Sequence, residues 1–172
     1  MLITEAYRKE LQRMHRKDVV WGSGPRGNII RVCNFIYYNN VERILDYGCG
    51  KGELLGWFLP IQVANYDPAI SQWSADPEPQ DYLLCTDVLE HVEPKCIEDV
   101  VEHLVSKFNK KALLSIALQE SKKILKDGRN AHLLVKPATW WIELLQRFCF
   151  IEHIEFAQDV STQDDILITL KK

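Results

Sequence analysis

The stretch Arg43-Ile44-Leu45-Asp46-Tyr47-Gly48-Cys49-Gly50-Lys51-Gly52-Glu53 constrains this chain more than any other. Ile44 and Leu45 close a short apolar run that predicts a buried strand. Glycine then takes every second position, at 48, 50 and 52. Leu54, Leu55, Trp57 and Phe58 restart an apolar pattern at helical spacing, and Pro60 stops it. A strand passing through a glycine-rich turn into a helix is how α/β sheets hold nucleotide-like ligands. The first glycines allow φ values closed to other residues, and the missing side chains let backbone N–H groups approach a ligand.

The spacing separates two ligand classes. The dinucleotide fingerprint is G-x-G-x-x-G, with a pyrophosphate on the helix N-terminus. Here the spacing is G-x-G-x-G, and Asp46 stands two residues before the first glycine. A carboxylate there repels a pyrophosphate and favours a ligand carrying an ammonium and a sulfonium. S-adenosylmethionine (SAM) is such a ligand. The run from Ile44 to Gly52 resembles the first motif of the class I SAM-dependent methyltransferases. The resemblance implies that Asp46, Tyr47, Gly48 and Gly50 contact the cofactor. The alternative is a glycine-rich turn that holds no ligand.

A chain of 172 residues predicts one domain, with 1–40 as N-terminal helices and a cofactor-side loop and 41–172 as the core. Apolar residues make up 47%, enough for one continuous core. A formal charge of −3 argues against affinity built on broad phosphate neutralisation, so long nucleic acid is not the favoured partner. The five cysteines, at 33, 49, 85, 96 and 149, form no C-x-x-C pair and read as small buried hydrophobes of a reducing compartment. No apolar run reaches the length of a bilayer span, and the N-terminus lacks the apolar region of a signal peptide; a cytoplasmic protein is expected.

Residues 2–16 read as a helix with Tyr7, Leu11 and Met14 on one face. Its basic residues Arg8, Lys9, Arg13, Arg16 and Lys17 read as a solvated face, or else as a contact for a polyanion. Trp21-Gly22-Ser23-Gly24-Pro25 is a loop, and Asn28 is a candidate cap for a helix carrying Ile29, Val32, Cys33 and Ile36. In class I methyltransferases the segment ahead of this helix often folds over SAM, which makes Trp21 and Gly22 cofactor candidates. Trp21 reads equally as a core residue beside a turn.

Gln62 to Tyr66 reads as a second strand, ending at Asp67-Pro68. An acid about that far beyond the glycines, at the end of the second strand, accepts both ribose hydroxyls of a nucleoside. Asp67, with Pro68 beside it, is therefore assigned to the cofactor; the other reading is a turn aspartate. Only 13 residues separate Asp67 from Asp81, with prolines at 68, 77 and 79. The family fits a helix, a strand and a helix there, so a loop replaces the third strand. The adenine contact must then come from Trp73 or the Leu84–Thr86 backbone, unless Trp73 is a plug over the core.

Tyr82 to Thr86 is a short apolar run, hence a buried strand. It leads into Asp87-Val88-Leu89-Glu90-His91-Val92-Glu93-Pro94, which resembles the D-x-L-E-H-x signature of many class I methyltransferases. The resemblance places Asp87 toward the methionine end of SAM or the acceptor. His91 is a candidate general base or a loop brace held by a hydrogen bond. Residues 97–108 give the cleanest helical stripe, Ala112–Ala117 a further strand. A short helical stretch and then Lys126 to His132 follow; on the resemblance Asp127, Arg129, Asn130 and His132 are acceptor-side candidates, or Asp127-Gly128 is an ordinary turn. Trp140 to Phe148 mark a last helix, and Phe150–Phe156 with Ile166–Leu170 a closing hairpin.

The expected fold is an α/β, Rossmann-like class I methyltransferase sheet, mostly parallel with an antiparallel C-terminal hairpin and the third strand shortened or missing. The chain also looks like compact stand-alone members from bacteria and their phages. The expected function is methyl transfer from SAM to a small molecule, nucleotide or protein side chain, with Asp87, His91 and His132 as catalytic candidates. The alternatives are a SAM-binding regulatory protein and a SAM-consuming enzyme that is not a transferase. No D/N-P-P-Y tract follows Thr86, which argues against amino methylation of DNA bases or glutamine. A metal-dependent catechol-type site would draw on Asp87, Asp127 and Asn130; the sequence assigns no metal ligand.

Overall fold

A computed structural model describes residues 1–18, 21–22, 28–52, 60–158 and 164–172. The helical pattern read from Leu54 to Phe58 lies outside these residues, as do Ser23, Gly24 and Pro25. The described elements are α1 (Glu5–Lys17), α2 (Ile29–Tyr38), β1 (Arg43–Tyr47), β2 (Gln62–Tyr66), β3 (Gln80–Thr86), α3 (Ile97–Ser106), β4 (Phe108–Ala117), α4 (Ala138–Gln146), β5 (Phe150–Gln158) and β6 (Asp164–Lys171).

The strands form one sheet in the order β2-β1-β3-β4-β6-β5. The first four are parallel; β6 runs antiparallel between β4 and β5. This is the expected mixed sheet with its closing hairpin. Residues 67–79 contain a single 3-10 turn, Ser71–Trp73, and no strand, so β2 is the sheet's edge. The short segment is tied down by a bond from Asp67 N to Trp73 O (3.1 Å) and by Lys107 donating to Asp76 (2.8 Å).

Side chains of successive strand residues point to opposite faces, and the core divides accordingly. Ile44, Leu84, Leu113 and Leu167 meet Val32, Phe35 and Ile36 of α2 on one face. Leu45, Leu83, Leu114 and Ile168 meet Val101 and Leu104 of α3 and Trp141 of α4 on the other. Truncating a residue as buried as Leu104 to alanine costs about 2–5 kcal/mol.

Three local expectations are corrected. The stripe read over 97–108 stops as helix at Ser106, and Phe108 opens β4 instead. Phe108 fits the helical spacing because it is buried, but it is buried as a strand residue. Asn28 sits at the α2 N-cap without capping it; its amide donates to Asp165 (3.3 Å). No helix lies between Ala117 and Pro137. There the chain turns back on itself through an Ile124–Asn130 bridge, with Gly128 at φ 87°. α1 follows its own sequence more closely: Thr4 accepts from Tyr7 N (3.2 Å) at its start, and His15, Arg16 and Lys17 sit at its negative end. No helix among the described residues is long and apolar enough to cross a membrane.

Candidate active site

In the parallel part of the sheet the chain steps from β1 outward to β2, then crosses to β3 on the other side of β1. Such a reversal leaves a crevice at the carboxyl ends of the strands. A cavity of about 390 Å³ lies there. Its wall includes Asp46, Tyr47, Gly48 and Gly50 from the end of β1, Asp67 and Pro68 from the end of β2, Thr86 at the end of β3, and Asp87 and His91 after it.

Gly48 has φ 81° and Gly50 φ 56°, both left-handed. A Cβ on Gly48 would lie 2.4 Å from Val88, and one on Gly50 2.6 Å from the carbonyl oxygen of Gly22. Glycine is thus required because the turn is pressed between the loop after β3 and the Trp21–Gly22 strap. The expectation that the turn offers its N–H groups to a ligand is not met. Gly48 and Cys49 donate to Tyr66 O, Gly50 to Asp67, Lys51 to Gly22 O and Gly52 to Cys49 O. The turn folds back onto β2 and presents a shape, not donors.

Among the described residues the Asp46 carboxylate has no hydrogen-bond partner. Burial, and secondly the charge of Asp67, push its pKa up to about 7. Asp67 is buried too; its oxygens accept from Gly50 N (3.0 Å) and Ala69 N (2.8 Å), which oppose the upward shift that burial imposes. Each of those oxygens retains a second lone pair. Two carboxylates in one crevice, with no cation beside Asp46 among the described residues, suit a positively charged, phosphate-free ligand, so the residues present fit SAM.

The opposite wall is built from side chains. Asp87 has φ 57°, unusual for a residue with a side chain, and its carboxylate accepts from the Ser115 hydroxyl (2.8 Å). Its surface opens to the cavity while protein encloses its other sides; that enclosure raises its pKa against the Ser115 bond. His91 ends the short 3-10 turn Leu89–His91. Its Nδ1 lies 2.8 Å from Ala131 O, and His132 Nδ1 lies 2.5 Å from Gln119 O. A carbonyl only accepts, so each Nδ1 carries the hydrogen and each neutral Nε2 keeps its lone pair. Burial, then the neighbouring His132, holds His91 down at about 4; burial also lowers His132. Both imidazoles are therefore uncharged at neutral pH, with ring centroids 4.8 Å apart.

The family model described as "Methyltransferase domain" matches residues 6–159. The chain belongs to this methyltransferase family. The methyltransferase reading of residues 44–53 is borne out at the level of the family. Among solved structures, the methyltransferase is similar to the 1,6-didemethyltoxoflavin-N1-methyltransferase of Burkholderia thailandensis, solved with 1,6-didemethyltoxoflavin and S-adenosylhomocysteine. The two are 14% identical over 96% of this chain and 87% of that one, with a TM-score of 0.71. The N-methyltransferase NodS of Bradyrhizobium japonicum, solved with S-adenosylhomocysteine, is 13% identical over 96% and 97%, TM-score 0.68. Magnesium protoporphyrin IX methyltransferase of Synechocystis, with bound SAM, is 15% identical over 99% and 93%, TM-score 0.60. No curated protein matches the sequence.

Several candidate residues of the methyltransferase are placed apart from the cavity. Trp73 does not line it; the indole packs beside Gly52, and its N–H finds no partner among the described residues. Asp127 and Arg129 are exposed and paired with each other (2.8 Å), and Asn130 braces Ser121 through two bonds. The ring of Tyr47 is committed to the core, its hydroxyl 2.7 Å from His103. Trp21 does line the cavity, edge-on to His91 at 5.0 Å, and Gly22 beside it. Sequence reasoning missed the roof. Leu2, Ile3, Tyr7, Leu11 and His15 cover the cavity, and Glu93 and Lys123 complete its rim. The Tyr7–Leu11 stripe was the signal for α1, read as a packing face with nothing to say what it packs on.

Proposed function

We propose that this cavity holds SAM with its positive end against Asp46 and transfers the methyl group to an acceptor entering beside Asp87, His91 and His132. The observation that carries this reading is the unpartnered Asp46 carboxylate in the crevice of the glycine turn. A cation is what would return that group to its ordinary charged state. Asp67 braces the turn and keeps lone pairs for the ribose hydroxyls. Pro68, Gly48 and Gly50 give the wall its shape, and Trp21 with Gly22 close it from the N-terminal side.

SAM supplies an already activated methyl group, so alignment of the acceptor is the larger part of the task. The N-terminal residues Leu2, Ile3, Tyr7 and Leu11 give the cavity an apolar cover. An oxygen or nitrogen acceptor also sheds a proton, and the uncharged imidazoles offer lone pairs on that side. A cavity of this size suits a small molecule, a nucleotide or a protein side chain as acceptor.

Calorimetry with SAM on the wild type and on Asp46→Asn, followed by transfer from methyl-labelled SAM to fractionated extract, tests the reading. Binding that weakens in the variant and label that appears in an acceptor support it. Equal affinity of both proteins for SAM removes the electrostatic argument, and bound SAM without labelled acceptor removes the transferase.

A further inference from the structure

We propose that Glu90, His91 and His132 form a binding site for a divalent transition-metal ion in the wall of this cavity. One ligand atom from each lies within 4.8 Å of the other two. The set is a carboxylate oxygen and two imidazole nitrogens, the donors that zinc, cobalt, manganese and iron share.

Two independent observations point into the cluster. Glu90 is completely buried, yet among the described residues its Oε2 has no partner, while Oε1 accepts from Ala117 N (3.2 Å). A buried carboxylate oxygen without a partner costs several kcal/mol unless a proton or a cation meets it. Both histidines are also oriented as metal-binding histidines are. Each spends its Nδ1 hydrogen on a backbone carbonyl, Ala131 O or Gln119 O, which fixes the tautomer and directs the Nε2 lone pair away from the main chain. Neither Nε2 has a hydrogen-bond partner among the described residues.

The fold brings these residues together deliberately. Glu90 and His91 are adjacent in the 3-10 turn, and Leu134 N donates to Glu90 O (2.9 Å), stitching the loop that carries His132 to that turn. Metal–ligand distances of about 2.0–2.2 Å place tetrahedral ligand atoms about 3.4 Å apart, so the three side chains must close by roughly an ångström. Such movement is within reach of the two histidine rings, both only partly buried.

Glu90 lies behind the wall while His91 and His132 face the cavity. The ion's remaining positions therefore open toward the cavity. If the transferase reading holds, they would take an oxygen of the acceptor, and the histidines would act as ligands, not as proton acceptors. The site itself does not depend on that reading.

Cobalt(II) is the probe, added to protein cleared of metal with a chelator and followed by its visible absorption and by calorimetry. One equivalent per chain is expected, with affinity at least tenfold lower in His132→Ala and in Glu90→Gln. His153→Ala, an exposed histidine away from the cavity, should match the wild type. Melting temperature, measured in parallel, shows that each variant is folded, and SAM affinity of the metal-cleared wild type distinguishes failure of the metal site from failure of the cofactor site. Absence of cobalt binding, or binding equally tight in all four proteins, overturns the proposal.

Discussion

The wall formed by the glycine turn comes from the ends of two neighbouring strands held together largely by main chain, whereas the wall facing it is side chain gathered from far apart. Residues 46–50 and 67–68 come from neighbouring parallel strands and hold one another by backbone bonds. Asp87 and His91 follow β3, His132 arrives from a loop 41 positions beyond His91, and Tyr7 and His15 descend from the first helix. The first wall is fixed by local geometry, so its tolerance of added atoms is small. The second depends on a few long-range hydrogen bonds, so its failures should be partial and graded.

That contrast is open to test, and the largest effect should be Gly50→Ala. The new methyl meets Gly22 at 2.6 Å in a left-handed conformation. Displacing the strap should weaken SAM binding about 100-fold, near 2.7 kcal/mol, read by calorimetry. If the variant binds as tightly as wild type, the turn is not rigid and the contrast breaks.

Asp46→Asn should come next, with about 30-fold weaker SAM binding, on the order of 2 kcal/mol for a lost charge-assisted contact. Its pH dependence sharpens the point. The carboxyl titrates near 7 in the folded chain against 3.8 as a free group. A raised pKa makes the ligand-free fold most stable at low pH and less stable as pH rises from about 4 through 7. SAM affinity should run the other way, rising with pH up to about 7.5, below the range where the ligand's own amine titrates. Asparagine should flatten both curves.

Tyr7→Phe samples the second wall. The tyrosine hydroxyl donates to His91 O (2.8 Å), and its loss should cost about 1 kcal/mol, a fall of roughly 2–4 °C in melting temperature. The smallest effects belong to residues that the sequence nominated and the fold leaves aside. Trp73→Phe should keep SAM affinity within about twofold, and Arg129→Ala should change stability by less than about 0.5 kcal/mol, because its ion pair is exposed. A large loss in either would bring that residue back to the site.

The same contrast explains what could be read beforehand. The sheet, its missing third strand and the glycine turn were legible because period-two burial, a run of glycines and a shortage of residues between Asp67 and Asp81 are local facts. For Asp67, the place at the strand end is local and was legible, but its grip on Gly50 N is a tertiary contact and was not. The loop from Leu118 to Pro137 misled because its apolar residues, Leu125 and Ala131 among them, are buried against α1 and not along a helix of their own. Glu90 stood in the D-x-L-E-H-x signature but was given no role of its own. In the sequence it is one acid among 24 Asp and Glu; only its complete burial sets it apart.

The bond from Tyr7 to His91 has a further meaning for how the enzyme trades one bound molecule for the next. Thr4 grips Glu93 in the same neighbourhood, through its amide and its hydroxyl (both 2.8 Å). The ceiling of the chamber is thus latched to the very turn that carries the imidazole. Any displacement of that ceiling would pull on the turn, so the roof and the far wall would move together.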